Sequence, residues 1–325
     1  MRVARICTYL RGGNVMNQEK VIIFGAGERG RGCYSFLVSK GMGNKVHGFC
    51  DKNYKSIGKI EDKEVFSYEQ VKDNKIPFLI SMTDEETVKE VVEMFEEDGN
   101  IYLKLDELAE ICGEDRIIFN HDFCAFFHIH NMDKYFKAAE SDTSIKCFWG
   151  IDSKFYNLFR QLDLTDVIEL AVGRGRHVPQ YIKKAGNLTL VDILQGNIDF
   201  CKERFKNYND IYYYCNNGYN LEKLESGKYT ALFSYDAMVH FEMMDIYEYL
   251  KDIYRVLVPG GRVLIHHSNN DSDYKASFAN AQDGRSFMSK DIFAYLSYRI
   301  GFRVIEQQVI DWGVKELDCI TLLEK

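Results

Sequence analysis

The chain has no long basic run, no C-x-x-C pair and no apolar run long enough to cross a bilayer. Phosphate recognition needs clustered Lys and Arg, so the net charge of −8 disfavours nucleic acid and an anionic membrane surface as partners. The nine cysteines are scattered and odd in number, which fits a reduced cytoplasmic setting better than a disulfide framework. A membrane span needs roughly 18 consecutive apolar residues, and no run approaches that length.

Length and composition favour two globular domains of ordinary size. The chain has 325 residues, of which 46% are hydrophobic and 28% are charged. We expect residues 1–16 to be an upstream extension that ends at the natural start, Met16. The reason is that Arg11-Gly12-Gly13 can be encoded by a purine-rich run resembling a ribosome-binding site. The rest divides by pattern into a small domain, a helical connector and a larger domain, at residues 17–112, 113–145 and 146–325.

Strand-like and helix-like segments alternate in both domains, which predicts an α/β fold with parallel sheets. In the small domain, apolar strands such as "KVIIF" and "KVHGFCD" leave room for only about four strands. In the larger domain, five alternating units are followed by a strand pair, "FRVIEQQVIDW" and "LDCITLLEK".

The small domain contains a complete G-x-G-x-x-G turn. Gly25, Gly27 and Gly30 allow a tight turn, close approach of a pyrophosphate and helix packing, and Asp51 ends the next strand, where an acid binds ribose hydroxyls. These residues predict a second nucleotide site. Alternatively, the glycines only allow a strand-to-helix turn to form.

A second glycine turn, "VIELAVGRGRHVP", begins the larger domain. The third glycine of a dinucleotide fingerprint is replaced by Val178, which weakens a pyrophosphate interpretation. Gly173 and Gly175 let a cofactor approach the backbone. Glu169 can attract a cationic group, and Asp192, at the end of the next strand, can accept from both ribose hydroxyls. This pattern favours a cationic cofactor without phosphate.

The order of segments in residues 146–325 resembles a class I S-adenosylmethionine-dependent methyltransferase. "VIELAVGRGRH" is similar to its glycine motif, "LVDI" to its ribose acid, "CNNGYNL" to its adenine loop and "DIYRVLVPGGRVLIHH" to its helix, turn and fifth strand. The resemblance implies a Rossmann-like sheet and S-adenosylmethionine as cofactor. The cofactor-binding residues that it implies are Glu169, Ala171, Gly173, Gly175, Asp192, Ile193, Asn217, Gly218, Ser234 and Tyr235. Ala171 replaces the usual first glycine, and Asn217 replaces an Asp whose role its amide oxygen can take.

Two weaker resemblances concern the substrate. Residues 17–112 resemble the small Rossmann-like, nucleotide-sugar-binding domain of sugar acyltransferases through "KVIIFGAGERG", "GFCDKN" and "IGKIEDKEVFSYEQV". The segment around "IHHS" resembles enzymes that methylate sugars of bacterial surface polysaccharides. The implied acceptor is a sugar, a nucleotide-linked sugar or a related metabolite of carbohydrate or polysaccharide biosynthesis.

The carboxyl ends of the strands, where ligands bind in open α/β sheets, carry the candidate catalytic groups. Asp236 ends the fourth strand, and a helical turn would bring His240 to the same face. His266 and His267 end the fifth strand, and only one of them can face the crevice because strand residues alternate. We favour His267 as the base that takes the proton of the acceptor, with Asp236 orienting a histidine or the substrate. His240 and His266 are the other candidate bases, and all three can instead be structural histidines.

Three further groups admit more than one interpretation. His128 and His130 diverge on a helix, so we predict packing there and assign no metal. The aromatic connector, with Tyr135 and Phe136, is either a lid over the substrate pocket or part of a core. Arg176 meets a cofactor carboxylate or a substrate phosphate, or it is solvated.

The leading hypothesis is a cytoplasmic methyltransferase that O-methylates its acceptor by base-assisted in-line displacement, with N-methylation left open. One alternative is an NAD-dependent oxidoreductase that uses residues 25–30, although that domain is short and suggests no acid or base for hydride transfer. Another is a non-catalytic, cofactor-binding scaffold. The expected partner is a small-molecule acceptor, without nucleic acid or a membrane span, and the sequence leaves homo-oligomer formation open.

Overall fold

The computed structural model describes residues 20–130 and 132–325, which form two compact units. The first unit comprises the described part of Met1–Phe126 with Ala279–Gly284, and the second comprises Phe127–Phe278 and Arg285–Lys325. The expected extension, residues 1–16, lies outside the described residues. The division at residues 17–112, 113–145 and 146–325 stays a prediction about separate domains.

The first unit is built on a six-stranded sheet in the order β3-β4-β2-β1-β5-β6. Its strands are β1 Val21–Phe24, β2 Val46–Cys50, β3 Lys59–Ile60, β4 Lys63–Phe66, β5 Phe78–Ile80 and β6 Tyr102–Leu103. All neighbours pair in parallel except β3 and β4. The sequence predicted about four strands; β3 and β6 have two residues each, which is too short for a hydrophobic alternation to reveal them.

The helices that belong to the first unit or lead out of it follow the strands in turn. They are α1 Glu28–Ser39, α2 Tyr54–Ile57, α3 Tyr68–Val71, α4 Glu85–Glu97, α5 Leu108–Cys112 and α6 Arg116–His130. The amphipathic helix α4 begins at a capping aspartate, since the side chain of Asp84 accepts from the backbone N–H of Thr87. Its apolar side buries Val91 and Phe95 against the sheet.

The second unit is built on a seven-stranded sheet in the order β12-β13-β11-β10-β7-β8-β9. Its strands are β7 Asp166–Leu170, β8 Asn187–Asp192, β9 Ile211–Cys215, β10 Tyr229–Ser234, β11 Leu257–Ser268, β12 Arg303–Trp312 and β13 Val314–Glu324. Only β13 runs against its neighbours. Its helices are α7 Met132–Ala139, α8 Asp142–Trp149, α9 Lys154–Phe159, α10 Val178–Tyr181, α11 Gln195–Arg204, α12 Met243–Val256 and α13 Lys290–Ile300.

Alternation along the central strands builds a hydrophobic core on each face of this sheet. Val167 and Phe233 belong to the core on one face, whereas Ile168 and Leu232 belong to the core on the other. Burial on both faces explains why these strands read as continuous apolar runs. The predicted α/β class with two Rossmann-like sheets is therefore confirmed. Along the described stretches of chain, no helix combines the length and the apolar character needed to span a membrane.

Candidate active site

The candidate site lies at the carboxyl edge of the second sheet, where the strand order reverses. β7 and β10 are neighbours in the middle of the sheet, and the chain continues from β7 to β8 on one side and from β10 to β11 on the other. Loops that leave two such strands diverge and open a crevice between them. The groups that end β7, β8 and β10 therefore define the site.

The glycine turn after β7 is held in a left-handed backbone conformation at three positions. The φ angles are +60° at Ala171, +56° at Gly173 and +76° at Gly175. A Cβ on Gly173 would lie 2.9 Å from the ring of Phe136, and one on Gly175 would lie 2.6 Å from the ring of Phe205. Close contacts therefore require glycine at both positions. At Ala171 the left-handed backbone conformation raises the free energy of an alanine by about 1–2 kcal/mol.

Asp192, at the end of β8, binds this turn. Its Oδ2 accepts from the backbone N–H of Gly173 at 2.8 Å, and its Oδ1 accepts from the N–H of Leu194 at 2.9 Å and from Nδ2 of Asn197 at 3.1 Å. A carboxylate has about four acceptor sites, so the chain itself uses three of them. For Asp192 to accept hydrogen bonds from both ribose hydroxyls, as predicted, the Asn197 amide must therefore move away from Oδ1. Burial raises the pKa of Asp192 to about 6, although these hydrogen bonds oppose the shift.

Glu169 lies inside β7 with 2% of its surface exposed. Its Oε2 accepts from the hydroxyl of Tyr181 at 2.6 Å. Burial raises its pKa to about 8, with a further rise from the charge of Asp192, whereas the Tyr181 hydrogen bond and nearby arginines lower it. The raised pKa favours the uncharged form of Glu169 at neutral pH in this state, and the predicted attraction of a cationic group requires that Glu169 ionise.

In the loop after β9, the side chain of Asn217, which we expected to contact adenine, forms hydrogen bonds with the backbone of its own loop. Oδ1 of Asn217 accepts from the N–H groups of Tyr219 and Asn220 at 3.0 and 3.1 Å. These bonds occupy both lone pairs of the amide oxygen in this arrangement, and its contact with adenine stays a prediction. Gly218 follows with φ +88°.

Two other predicted cofactor residues lie at the same edge. The carbonyl of Ile193 accepts a weak hydrogen bond from Sγ of Cys215 at 3.3 Å. Ser234 is fully buried at the end of β10, and its hydroxyl has no hydrogen-bond partner in the described part of the chain. A buried unpaired hydroxyl next to the crevice is a group that a ligand can satisfy.

Tyr235 and Asp236 turn the chain out of β10. Asp236 has φ +58°, and its Oδ2 accepts from Nη2 of Arg176 at 2.8 Å and from the hydroxyl of Tyr135 at 2.6 Å. Burial is the largest effect and would raise the pKa of Asp236, but the nearby charges, chiefly that of Arg176, and the hydrogen bonds from Arg176 and Tyr135 together outweigh it and lower the pKa to about 2. The ring of Tyr235 packs on that of Phe148, with centroids 4.8 Å apart. This end of the crevice thus combines a carboxylate, a guanidinium and aromatic rings.

The two histidines of β11 point to opposite faces of the sheet, as the alternation predicted. His267 lies on the face away from Asp236, fully buried and stacked on Phe293 at 3.9 Å. Its Nδ1 lies 2.8 Å from the carbonyl of Ser268, and its Nε2 lies 2.8 Å from Oγ1 of Thr321. Burial lowers its pKa to about 3. The prediction that His267 is the base is therefore wrong, because both ring nitrogens are engaged within the core.

His266 faces the crevice side but is also engaged. Its Nδ1 accepts from the backbone N–H of Asp236 at 3.1 Å, and its Nε2 lies 3.1 Å from Oδ2 of Asp318. Arg285 donates to both oxygens of Asp318, from Nε at 3.1 Å and from Nη2 at 2.7 Å. Sequence reasoning missed Asp318 and Arg285. The available signal was a charged residue inside an otherwise apolar strand, "LDCITLLEK", because a buried charge needs a partner.

His240 lies in a turn rather than in the expected helical turn with Asp236. Its N–H donates to the carbonyl of Ala237 at 3.0 Å, and α12 begins only at Met243. The His240 ring packs against His128 and Phe278, with centroid distances of 5.5 and 5.4 Å. The structure therefore does not bring His240 onto one helical face with Asp236. The other histidine considered beside His128 in the sequence is His130, and its side chain lies outside the described residues.

The glycine turn of the first unit follows β1. Gly25 has φ +101°, and a Cβ there would lie 2.7 Å from Oγ of Ser81. A Cβ on Gly30 would lie 2.0 Å from the carbonyl oxygen of Gly25, so this glycine allows α1 to pack on the turn. At Gly27, φ is −74°, and a Cβ would meet no heavy atom of the described chain within 4 Å. The geometry of the turn thus explains why glycine is needed at positions 25 and 30, but it does not require a glycine at Gly27.

Asp51 ends β2 beside this turn. Its Oδ2 accepts from the N–H of Ala26 at 2.8 Å, and its Oδ1 accepts from the N–H of Asn53 at 2.8 Å. The carboxylate therefore holds two backbone segments of the loop and keeps further acceptor sites.

Comparison with known proteins supports the assignment of the second unit. Residues 167–261 match the family model described as a methyltransferase domain. A solved S-adenosylmethionine-dependent methyltransferase from Mesorhizobium loti is 11% identical, with a TM-score of 0.44, and the match covers 53% of this chain and 97% of that one. One from Clostridium acetobutylicum is 14% identical, with a TM-score of 0.44 and coverages of 59% and 99%. No curated protein sequence matches significantly.

A further solved structure with a similar fold is a complex of the Haloferax volcanii Trm112 methyltransferase activator with a methyltransferase. It is 14% identical, has a TM-score of 0.47 and covers 61% of this chain and 96% of that one. The family match shows that the chain contains a methyltransferase domain within its second unit.

Proposed function

We propose that the second unit transfers the methyl group of S-adenosylmethionine to a hydroxyl of a sugar, a nucleotide-linked sugar or a related small metabolite. The observation that carries this proposal is the crevice between β7 and β10, where a left-handed glycine turn and two buried acids lie close to the Asp236–Arg176 pair. The acids suit a cationic cofactor. The pair at the other end supplies both a hydrogen-bond acceptor and donors, as recognition of a polyhydroxylated acceptor requires.

The cofactor would lie across the glycine turn. Asp192 would hold the ribose hydroxyls, with Oδ2 as one acceptor and with Oδ1 as the other once the Asn197 amide has moved. The close backbone at Gly173 and Gly175 admits the amino-acid tail. The cationic end of the cofactor lowers the pKa of Glu169, which then carries the compensating negative charge. The unpaired Ser234 hydroxyl supplies a further contact.

A base is needed because an acceptor hydroxyl is a poor nucleophile until it loses its proton. His240 is the base that we propose, because it lies in the loop that leaves β10 at the carboxyl edge of the sheet, whereas His266 and His267 lie within β11. A positioned base contributes about 10²–10⁴ in rate. Asp236, whose pKa is about 2, is a weak base, and in this proposal it orients the acceptor.

The first unit would bind a nucleotide. Gly27 supports this, because the turn does not need a glycine there, whereas a phosphate needs close access to the backbone. Asp51 retains acceptor sites for ribose hydroxyls. We place the protein in the cytoplasm, in carbohydrate or polysaccharide biosynthesis.

The test is a methyl-transfer assay with labelled S-adenosylmethionine and a panel of uridine-, thymidine- and guanosine-diphosphate sugars. We expect a labelled O-methyl product with one of them, and a loss of about 10²-fold or more in kcat in His240→Asn with unchanged affinity for S-adenosylhomocysteine. The matched control is His47→Asn, a histidine of the first unit outside this crevice. A labelled amine product, or full turnover in His240→Asn, would contradict the proposal.

A further inference from the structure

A chain of buried side chains links three strands behind the crevice. It begins at the backbone N–H of Asp236 after β10, passes through His266 of β11 and Asp318 of β13, and ends at Arg285. His266 and Asp318 are fully buried, and Arg285 is 3% exposed. Since the four residues come from well-separated parts of the sequence, the chain is a feature of the folded unit.

The direction of each hydrogen bond follows from donor chemistry. A backbone N–H can only donate, so Nδ1 of His266 is the acceptor from Asp236 and carries no proton. The ring proton is therefore on Nε2, which donates to Oδ2 of Asp318. Arg285 donates two hydrogen bonds to the same carboxylate. The ring of Tyr235, stacked on His266 with centroids 4.5 Å apart, fixes the orientation of the imidazole.

The backbone of Asp236 needs such support. Its φ of +58° is left-handed, a conformation that costs most non-glycine residues about 1–2 kcal/mol and persists only when the surroundings determine it. With this backbone, the carboxylate meets Arg176 and Tyr135. If the hydrogen bond to His266 were lost, the turn could relax toward right-handed values and the carboxylate would move.

We propose that His266, Asp318 and Arg285 are positioning residues that lock the Asp236 turn and thereby set the carboxylate that orients the methyl acceptor. They act through the backbone N–H of Asp236 and transfer no proton. This inference rests on the proposed function, in which Asp236 contacts the acceptor. The geometry explains why the buried Asp318–Arg285 ion pair lies beside His266, since burial of such a pair is costly unless every partner is satisfied.

Two substitutions of His266 separate its two hydrogen bonds. The amide oxygen of His266→Asn stands near the position of Nδ1 and can still accept from Asp236. The amide nitrogen of His266→Gln reaches the position of Nε2 and can still donate to Asp318, but the variant lacks the acceptor for Asp236. If His266 has a purely structural role, both substitutions should change amide exchange and turnover equally. If it acts through the N–H of Asp236, only His266→Gln should lose the hydrogen bond that fixes the Asp236 turn.

Amide hydrogen exchange of the peptide that contains Asp236 is the first measurement. We expect protection of this amide in the wild type and in His266→Asn, and exchange about tenfold faster in His266→Gln, as the loss of one hydrogen bond predicts. Calorimetric affinity for S-adenosylhomocysteine should stay within about twofold in both variants, which shows that the unit is folded. Equal protection of the Asp236 amide in all three proteins would overturn the inference.

Turnover with the nucleotide sugar that is methylated is the second measurement. We expect kcat to fall about tenfold or more in His266→Gln, with a much smaller fall in His266→Asn and an unchanged pH profile in both. Equal losses together with a shifted pH profile would identify a proton relay and overturn the inference. Absence of methyl transfer by the wild type would refute only the proposed function, because the exchange measurement still tests whether His266 fixes the Asp236 turn.

Discussion

Glu169→Gln tests the most unusual electrostatic feature of the site, a buried acid whose burial outweighs the charges of the nearby arginines. The folded pKa is about 8 against an ordinary value of 4.5, so the difference is 8 − 4.5, or about 3.5. At about 1.4 kcal/mol for each pKa unit, the burial of the charged form costs at most about 5 kcal/mol above pH 8. Glutamine keeps the shape and still accepts from Tyr181, but it never ionises.

The sign of the effect follows from proton uptake. Between pH 4.5 and 8 the folded protein holds more protons on Glu169 than the unfolded chain does, so the free energy of unfolding falls as pH rises through this window. Asp192, with a folded pKa of about 6, contributes a similar slope only below pH 6. The difference between the wild type and Glu169→Gln at pH 6 and at pH 8.5 therefore isolates Glu169, because the other titrating groups, such as His267, are the same in both proteins.

The assay is urea unfolding followed by tryptophan fluorescence. Both tryptophans, Trp149 and Trp312, lie in the second unit, so the signal reports on the unit that contains Glu169. We expect Glu169→Gln to be more stable than the wild type at pH 8.5, by up to about 5 kcal/mol, with the advantage shrinking toward pH 6. Glu222→Gln, at an exposed position, is the control and should change little. Parallel pH dependence in Glu169→Gln and the wild type would refute the assignment of a buried, protonated Glu169.

Three further predictions use the same site. Gly173→Ala should lower the affinity for S-adenosylhomocysteine about tenfold or more, because a Cβ there meets Phe136 at 2.9 Å where the cofactor must pass. Gly227→Ala is its control, since φ is +63° but the space is open, and calorimetry should show unchanged affinity with about 1 kcal/mol less stability. Binding of S-adenosylmethionine at pH 7 should release up to one proton from Glu169, so the heat measured in Tris and in phosphate should differ, and this difference should vanish in Glu169→Gln. His267 has a folded pKa of about 3 against 6.5 when unfolded, so wild-type stability should fall as pH drops through that window, and urea midpoints of His267→Leu should depend less on pH.

The succession of strands along the chain and the main turns could be predicted from the sequence because local patterns determine them. Continuous apolar runs indicated β7, β8 and β10, and Gly173 and Gly175 stand where close contacts and positive φ require them. The two-residue strands β3 and β6 could not be predicted, since only pairing with neighbours defines them.

The catalytic assignment failed where it depended on side-chain direction. Alternation showed that His266 and His267 face opposite sides, but not which side holds the crevice, since that depends on how β11 pairs with β10 and β13. The same long-range pairing brings Asp318 opposite Ser268 and therefore next to His266. Asn217 was expected to meet a ligand, but its oxygen binds the N–H groups of its own loop, which is a common use of an Asn in a turn.

The most direct test of the central claim is calorimetry of the purified protein with S-adenosylmethionine, S-adenosylhomocysteine and NAD, each titrated separately. The account predicts binding of the first two, loss of that binding in Asp192→Ala, and unchanged binding in Asp199→Ala, an exposed acid on the following helix. Thermal melting shows whether both variants remain folded. Binding of NAD alone, or full affinity for S-adenosylhomocysteine in Asp192→Ala, would contradict the claim that the glycine turn after β7 holds the cofactor.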